Sequence, residues 1–136
     1  VNWYHEHQPE IIKIELPVFS KKLGIAGRVD CIAKIKDEIC VIDWKSSRSI
    51  HNSYYLQLAA YSMAIEEMTD LKIVNTAILQ LGASNKNGYR FAVEPNWRDN
   101  VEVFKGVYKT WTYDNRKEGK SKVEPPVLDL PDKIKL

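Results

Sequence analysis

Asp30, Asp43 and Lys45 are charged residues embedded in apolar runs, GRVDCIAKI and ICVIDWK, thirteen positions separating the two acids. Acids and a lysine in such surroundings are costly to bury unless something compensates them. Two carboxylates held side by side repel unless a cation lies between them. Hard oxygen ligands with open positions suit Mg²⁺ or Mn²⁺. Glu15, in the run IIKIELPV, can add a third oxygen if its strand lies alongside. Lys45 falls on the same strand face as Asp43, one pleat on, where an ammonium can hold a water or stabilise charge growing on a phosphate. Ion, activated water and lysine together favour phosphodiester hydrolysis. Spacing alone leaves open a plain salt bridge between Lys45 and one aspartate.

The elements that would position these residues follow from periodicity. Ile11 to Val18 reads as a β-branched strand with Pro17 near its end, and Phe19 to Gly27 as a connection. Arg28–Ile35 and Ile39–Lys45 form a hairpin about a polar turn at Asp37-Glu38. Apolar residues on both faces of the second strand predict a central strand covered above and below. Ser46 to Ser53 is a polar loop in which Asn52 or Ser53 can cap the next helix. Leu58, Tyr61, Ile65 and Met68 recur at helical steps, so Tyr54 to Met68 is a helix, with Gln57 and Tyr61 one turn apart on one face. Strands at Lys72–Leu81 and Tyr89–Val93 flank a turn rich in Ser, Asn and Gly. A helix then opens at Pro95 and runs to about Glu118, with a predicted buried stripe of Val101, Phe104, Val107, Tyr108 and Trp111. The fold class is α/β, a three-layer α/β sandwich around a central mixed β-sheet. Residues 1–136 form one domain, of which 119–136 is a proline-rich tail.

The motifs G-R-V-D, V-I-D-W-K-S-S and Q-L-A-A-Y together resemble the PD-(D/E)XK nuclease superfamily in its RecB-like exonuclease branch. Within that branch, E-L-P-V-F-S-K-K-L-G-I-A-G-R-V-D-C-I-A-K and C-V-I-D-W-K-S-S look most like the mitochondrial genome maintenance exonuclease and related phage exonucleases. The resemblance is clear from about Glu15 to Tyr61. It implies a restriction-endonuclease-like core and a Mg²⁺- or Mn²⁺-dependent deoxyribonuclease acting on DNA, with free ends as the expected substrate. Asp30 and Asp43 match metal-binding acids, with the Trp44 backbone carbonyl beside them, and Glu15 matches the upstream glutamate of the metal shell. Lys45 matches the lysine that positions the attacking water. Gln57 and Tyr61 match the Q-x-x-x-Y helix that supports the site and contacts the DNA strand, and Ser46, Ser47 and Arg28 are further candidates for the phosphates. Ser46 stands where these exonucleases usually carry Thr. Several relatives have a helical segment before Glu15, some with a metal-binding histidine; only fourteen residues precede Glu15 here, and His5 or His7 could stand in. The rival expectations are a structure-selective endonuclease of the same fold and an inactive nucleic-acid-binding module.

Bulk properties restrict less. At 44% hydrophobic and 28% charged the composition is that of an ordinary globular domain, and a net charge of +2 neither demands nor excludes nucleic acid. Lys105, Lys109, Arg116, Lys117, Lys120 and Lys122 gather late in the chain, as a solvated face or a phosphate-binding patch. Cys31 and Cys40, without C-x-x-C spacing, read as core thiols in a reducing intracellular compartment, which the resemblance would make bacterial or phage-infected cytoplasm or mitochondrial matrix. Two cysteines cannot hold an iron–sulfur cluster. No apolar window is long enough for a membrane helix, and no signal peptide opens the chain. Val1 to Pro9 reads as a solvated segment, with Trp3, Tyr54 and Tyr55 as core residues or base-stacking candidates. Oligomeric state is not encoded in any motif.

Overall fold

The computed structural model describes residues 2–82, 88–117, 133, 134 and 136. The chain runs α1 (Asn2–His7), β1 (Glu10–Ser20), β2 (Ile25–Ile35), β3 (Glu38–Lys45), α2 (Asn52–Met68), β4 (Asn75–Leu81), β5 (Tyr89–Glu94) and α3 (Trp97–Lys117). The strands form one sheet in the order β1-β2-β3-β4-β5. All neighbours are antiparallel except β3 and β4, which run parallel because α2 carries the chain back across the sheet between them. β3 is therefore the central strand, as its two apolar faces predict. The sheet is mixed and has helices on both sides, the predicted α/β sandwich.

One face is covered by α2 and the start of α3. There Val29, Ile32, Val41 and Ile78 pack against Leu58, Ile65, Met68, Trp97 and Val101. The other face carries Cys31, Ala33, Cys40, Ile42, Ala77 and Leu79, with Trp3 of α1 buried upon it. Burial pushes the Cys31 thiol up to about 11 and the Cys40 thiol up to about 12, with Asp30 adding to the first and Cys31 to the second. Both are free core thiols.

Several local expectations need correction. The first residues are not a solvated segment: a short helix forms because the second sheet face would otherwise be open to water, and Trp3, at 4% exposure, closes it rather than stacking on bases. The expected connection from Phe19 to Gly27 shrinks to a turn at residues 21–24, closed by Gly24 N–H donating to the Ser20 carbonyl, with Gly24 at φ 69°. β1 and β2 thus extend into one long hairpin. The β2–β3 turn falls on Lys36 and Asp37, at φ 51° and 65°, the doubly left-handed geometry that suits right-twisted strands. Neither Asn52 nor Ser53 caps α2. The cap position is His51, which makes no side-chain cap hydrogen bond. β4 starts at Asn75 rather than Lys72. Glu66 draws the chain down beforehand, accepting the Ile73 N–H and pairing with Arg98.

The expected stripe of α3 is half right. Val101 is buried and Phe104 and Tyr108 are partly so, but Val107 and Trp111 are 56% and 59% exposed. The 21 residues of α3 span about 32 Å at ~1.5 Å per residue, and its second half runs past the layer beneath. Of the expected tail, 119–132 and 135 lie outside the described residues. Ile134 donates its N–H to the Met68 carbonyl at 2.6 Å and packs on the core.

Candidate active site

The β2–β3 ladder runs from Ile35/Glu38 to Cys31/Ile42. One step further in the same register lie Asp30 and Asp43, and there side chains take over from backbone. The Trp44 N–H donates to Asp30 Oδ2 at 3.0 Å. Asp43 Oδ2 lies 2.9 Å from Lys45 Nζ, with the acid 15% and the lysine 27% exposed. This is the salt bridge that spacing left open, but it sits inside a larger cluster. Asp43 Oδ2 is buried and, despite the short ion pair, accepts no hydrogen bond of good geometry.

Electrostatics make the same point. Burial first, and then the neighbouring Asp30 carboxyl, push Asp43 up to about 6, against the pull of Lys45. Burial draws Lys45 down, but its contacts with Asp43 outweigh this and leave it above the usual ammonium value. The site thus crowds two carboxyls around one retained ammonium. Its unspent demand is for positive charge.

On β1, Ile14 pairs with Cys31 and Leu16 with Val29, so Glu15 falls beside Asp30 in register. Its backbone is left-handed, φ 53°, a conformation costing a non-glycine residue roughly 1–2 kcal/mol. The facing of β2 changes near this level, although its register with β1 does not. Val29 and Ile32 both enter the α2-side core, whereas strict alternation would send them to opposite faces. The Glu15 side chain is exposed, and among the described residues no three of His, Cys, Asp and Glu converge as a ligand set. The structure thus joins Asp30, Asp43 and Lys45 but does not draw Glu15 in. His5 and His7 belong to α1, whose Trp3 covers the opposite face.

α2 supplies the roof. Gln57 Nε2 donates to Tyr61 Oη at 3.1 Å, the expected one-turn pair. The Tyr61 ring lies directly over Gly27, where an added Cβ would come within 2.3 Å of it. Tyr54 presents its ring face to Lys45, 4.6 Å from Nζ to the ring centre. Ser46 and Arg28 are exposed, and the Ser47 hydroxyl donates to the Ser49 carbonyl at 2.9 Å. The Trp44 side chain, between Asp43 and Lys45 in sequence, instead lines an apolar groove with Trp3, Tyr4, Leu79 and Leu81.

Gln80 is not among the candidates of the sequence, and Tyr54 is one only as a core or base-stacking residue. Gln80 pairs with Lys45 in the parallel ladder, is 5% exposed, and donates to the Ser47 carbonyl at 2.7 Å, pinning the loop that leaves the site. A lone amide in the strand AILQL is the signal that could have found it. Only the loop between β3 and α2 brings Tyr54 over the lysine.

The donor set fits a hard divalent cation: two adjacent carboxyls, one of them largely buried, share a single ammonium. Comparison with known proteins agrees with that chemistry. The family description "PD-(D/E)XK nuclease superfamily" matches residues 2–125. The chain belongs to this superfamily. A stretch of 58 residues is also 40% identical to mitochondrial genome maintenance exonuclease 1 of Xenopus tropicalis, covering 38% of this chain and 17% of that relative. As a member of the PD-(D/E)XK nuclease superfamily, the chain has the fold its motifs imply. Among the described residues, no helix is long and apolar enough to cross a membrane.

Proposed function

We propose that this PD-(D/E)XK nuclease hydrolyses phosphodiester bonds in DNA, working as an exonuclease from free ends with Mg²⁺ or Mn²⁺. The observation that carries the reading is the cluster in which Asp30, Asp43 and Lys45 meet at the end of the β2–β3 ladder, two carboxyls sharing one ammonium. Asp30 and Asp43 would hold the cation, together with the Trp44 carbonyl and Glu15 once its exposed side chain turns inward. When bound, that ion supplies Lewis-acid polarisation of the phosphate and a more acidic water.

The chain's own residues do the rest. Lys45, retained as an ammonium beside Asp43, donates hydrogen bonds. It can orient the attacking water and offset the negative charge that grows on the phosphoryl oxygens. The water oxygen forms the new bond to phosphorus as the bond to the leaving sugar oxygen breaks, and the leaving oxygen takes up a proton. Gln57 and Tyr61 brace the roof and offer polar atoms to the strand, and Ser46, Ser47 and Arg28 stand at the mouth for phosphates.

Support for ends as substrate comes from the stretch shared with the frog exonuclease. The test uses end-labelled linear and circular DNA, single- and double-stranded, with Mg²⁺ or Mn²⁺, comparing wild type with Lys45→Ala. Expected is metal-dependent shortening of linear DNA that falls by roughly 10²-fold or more in the variant. Degradation of circles would replace the exonuclease reading with an endonuclease one. Full activity of Lys45→Ala would remove the lysine from the mechanism.

A further inference from the structure

Lys45 has two neighbours of opposite character. Its Nζ lies 2.9 Å from Asp43 Oδ2 and 4.6 Å from the centre of the Tyr54 ring, over its face. The ring is itself fixed. Tyr54 sits in the first turn of α2, its N–H donates to the His51 carbonyl at 3.0 Å, and the His51 ring meets it edge-on at 5.2 Å and 81°. Tyr54 also packs against the α2-side core. The lysine thus bridges a carboxylate that can ligate a metal and an aromatic face that offers a metal no ligand atom.

The two contacts respond differently to loading of the site. Any cation that engages Asp43 competes with Lys45 for the same oxygens. A lysine with only Asp43 as anchor would then be free to swing outward on its four-carbon stem, 27% exposed as it already is. A ring face attracts the ammonium through its quadrupole without offering a ligand atom to a metal. Such contacts correspond to roughly two- to thirtyfold in an equilibrium constant, depending on how dry they are.

We propose that Tyr54 is a positioning residue whose ring face gives the Lys45 ammonium a second seat, keeping it at the scissile phosphate when Asp43 turns its carboxylate to a divalent cation. This rests on the nuclease reading above. It assigns the role to the ring rather than the hydroxyl, and it makes Tyr54 act only through Lys45.

The experiment measures Mn²⁺ binding by the protein alone and cleavage of end-labelled DNA. The proteins compared are wild type, Tyr54→Phe, Tyr54→Leu, Lys45→Ala and the Tyr54→Leu/Lys45→Ala double variant. Tyr54→Phe should stay within about twofold of wild type in both measurements, since the face is kept. Tyr54→Leu should lower kcat by roughly five- to thirtyfold with little change in KM, and weaken Mn²⁺ binding severalfold because Lys45 then clings to Asp43. In the Lys45→Ala background, Tyr54→Leu should leave Mn²⁺ binding unchanged. A Tyr54→Phe variant as impaired as Tyr54→Leu overturns the proposal, as does an equal loss of Mn²⁺ affinity with and without Lys45. Wild-type behaviour of Tyr54→Leu overturns the tyrosine's role while leaving the nuclease reading intact. A wild type that neither binds Mn²⁺ nor cuts DNA overturns both. Should Tyr54→Leu fail to fold, Tyr54→Met fills the space without a ring and takes its place under the same criteria.

Discussion

Asp43 is the residue at which the conflict between folding and chemistry is sharpest. Its carboxyl titrates near 6 in the fold against 3.8 as an ordinary side chain, because burial and Asp30 both oppose its charge. The folded state therefore favours the neutral acid. That preference is fully present below about pH 4 and is lost as pH rises through 6. The contribution of Asp43 to the stability of the metal-free protein should fall by on the order of 2–3 kcal/mol between those values and then level off. Urea denaturation at stepped pH, without divalent ions, reads this directly. Asp43→Asn should flatten the profile and raise stability at pH 8 while abolishing cleavage. A metal-free profile that Asp43→Asn leaves unchanged would mean Asp43 is not under electrostatic stress. Glu15 shows a second form of stress, a left-handed backbone in the middle of a strand at the level of Asp30.

At the scale of elements, the site depends on how closely α2 approaches β2. Gly27 is a strand residue whose missing side chain is the space occupied by Tyr61, and any Cβ there would stand 2.3 Å from the ring. Gly27→Ala must therefore push Tyr61 aside and strain its hydrogen bond with Gln57. The expected cost is about 1–3 kcal/mol of stability. Much of it should be recovered when Tyr61→Ala is added, a coupling that a double-mutant cycle of unfolding free energies would measure. Strictly additive effects would show that the ring moves out of the way without resistance. The loop from β3 to α2 is held in a comparable manner by Gln80, through the Ser47 carbonyl.

For the whole molecule, a single sheet separates two unequal layers, and α3 belongs only partly to the thicker one. Trp97 is 1% exposed, donates its ring N–H to the Ile73 carbonyl at 3.3 Å and anchors the helix. Trp111, fourteen residues later on the same helix, is 59% exposed. Trp97→Ala should cost about 3–5 kcal/mol. Trp111→Ala should change stability by no more than ~0.5 kcal/mol. Thermal or denaturant unfolding of the two variants compares them directly, and equal destabilisation would mean that the far half of α3 is part of the core.

Much of this was legible in the residues. The D…D-x-K spacing, the one-turn Gln57/Tyr61 pair and the doubly apolar β3 run follow from strand and helix periodicity, which local sterics impose whatever the surroundings. They yielded the sheet and the meeting of Asp30, Asp43 and Lys45, while the family came from the resemblance of the motifs. Tertiary structure decided what periodicity does not carry. Trp3 became core only because a sheet face elsewhere in the chain needed covering, and the apolar stripe of α3 stayed half exposed because the layer beneath ends before the helix does. Tyr54 met Lys45, and Gln80 met the loop after β3, through contacts between segments that no local pattern links. The sequence by itself determined which groups could do chemistry. Only the packing of α2 and β4 around β3 decided which side chains hold those groups in place.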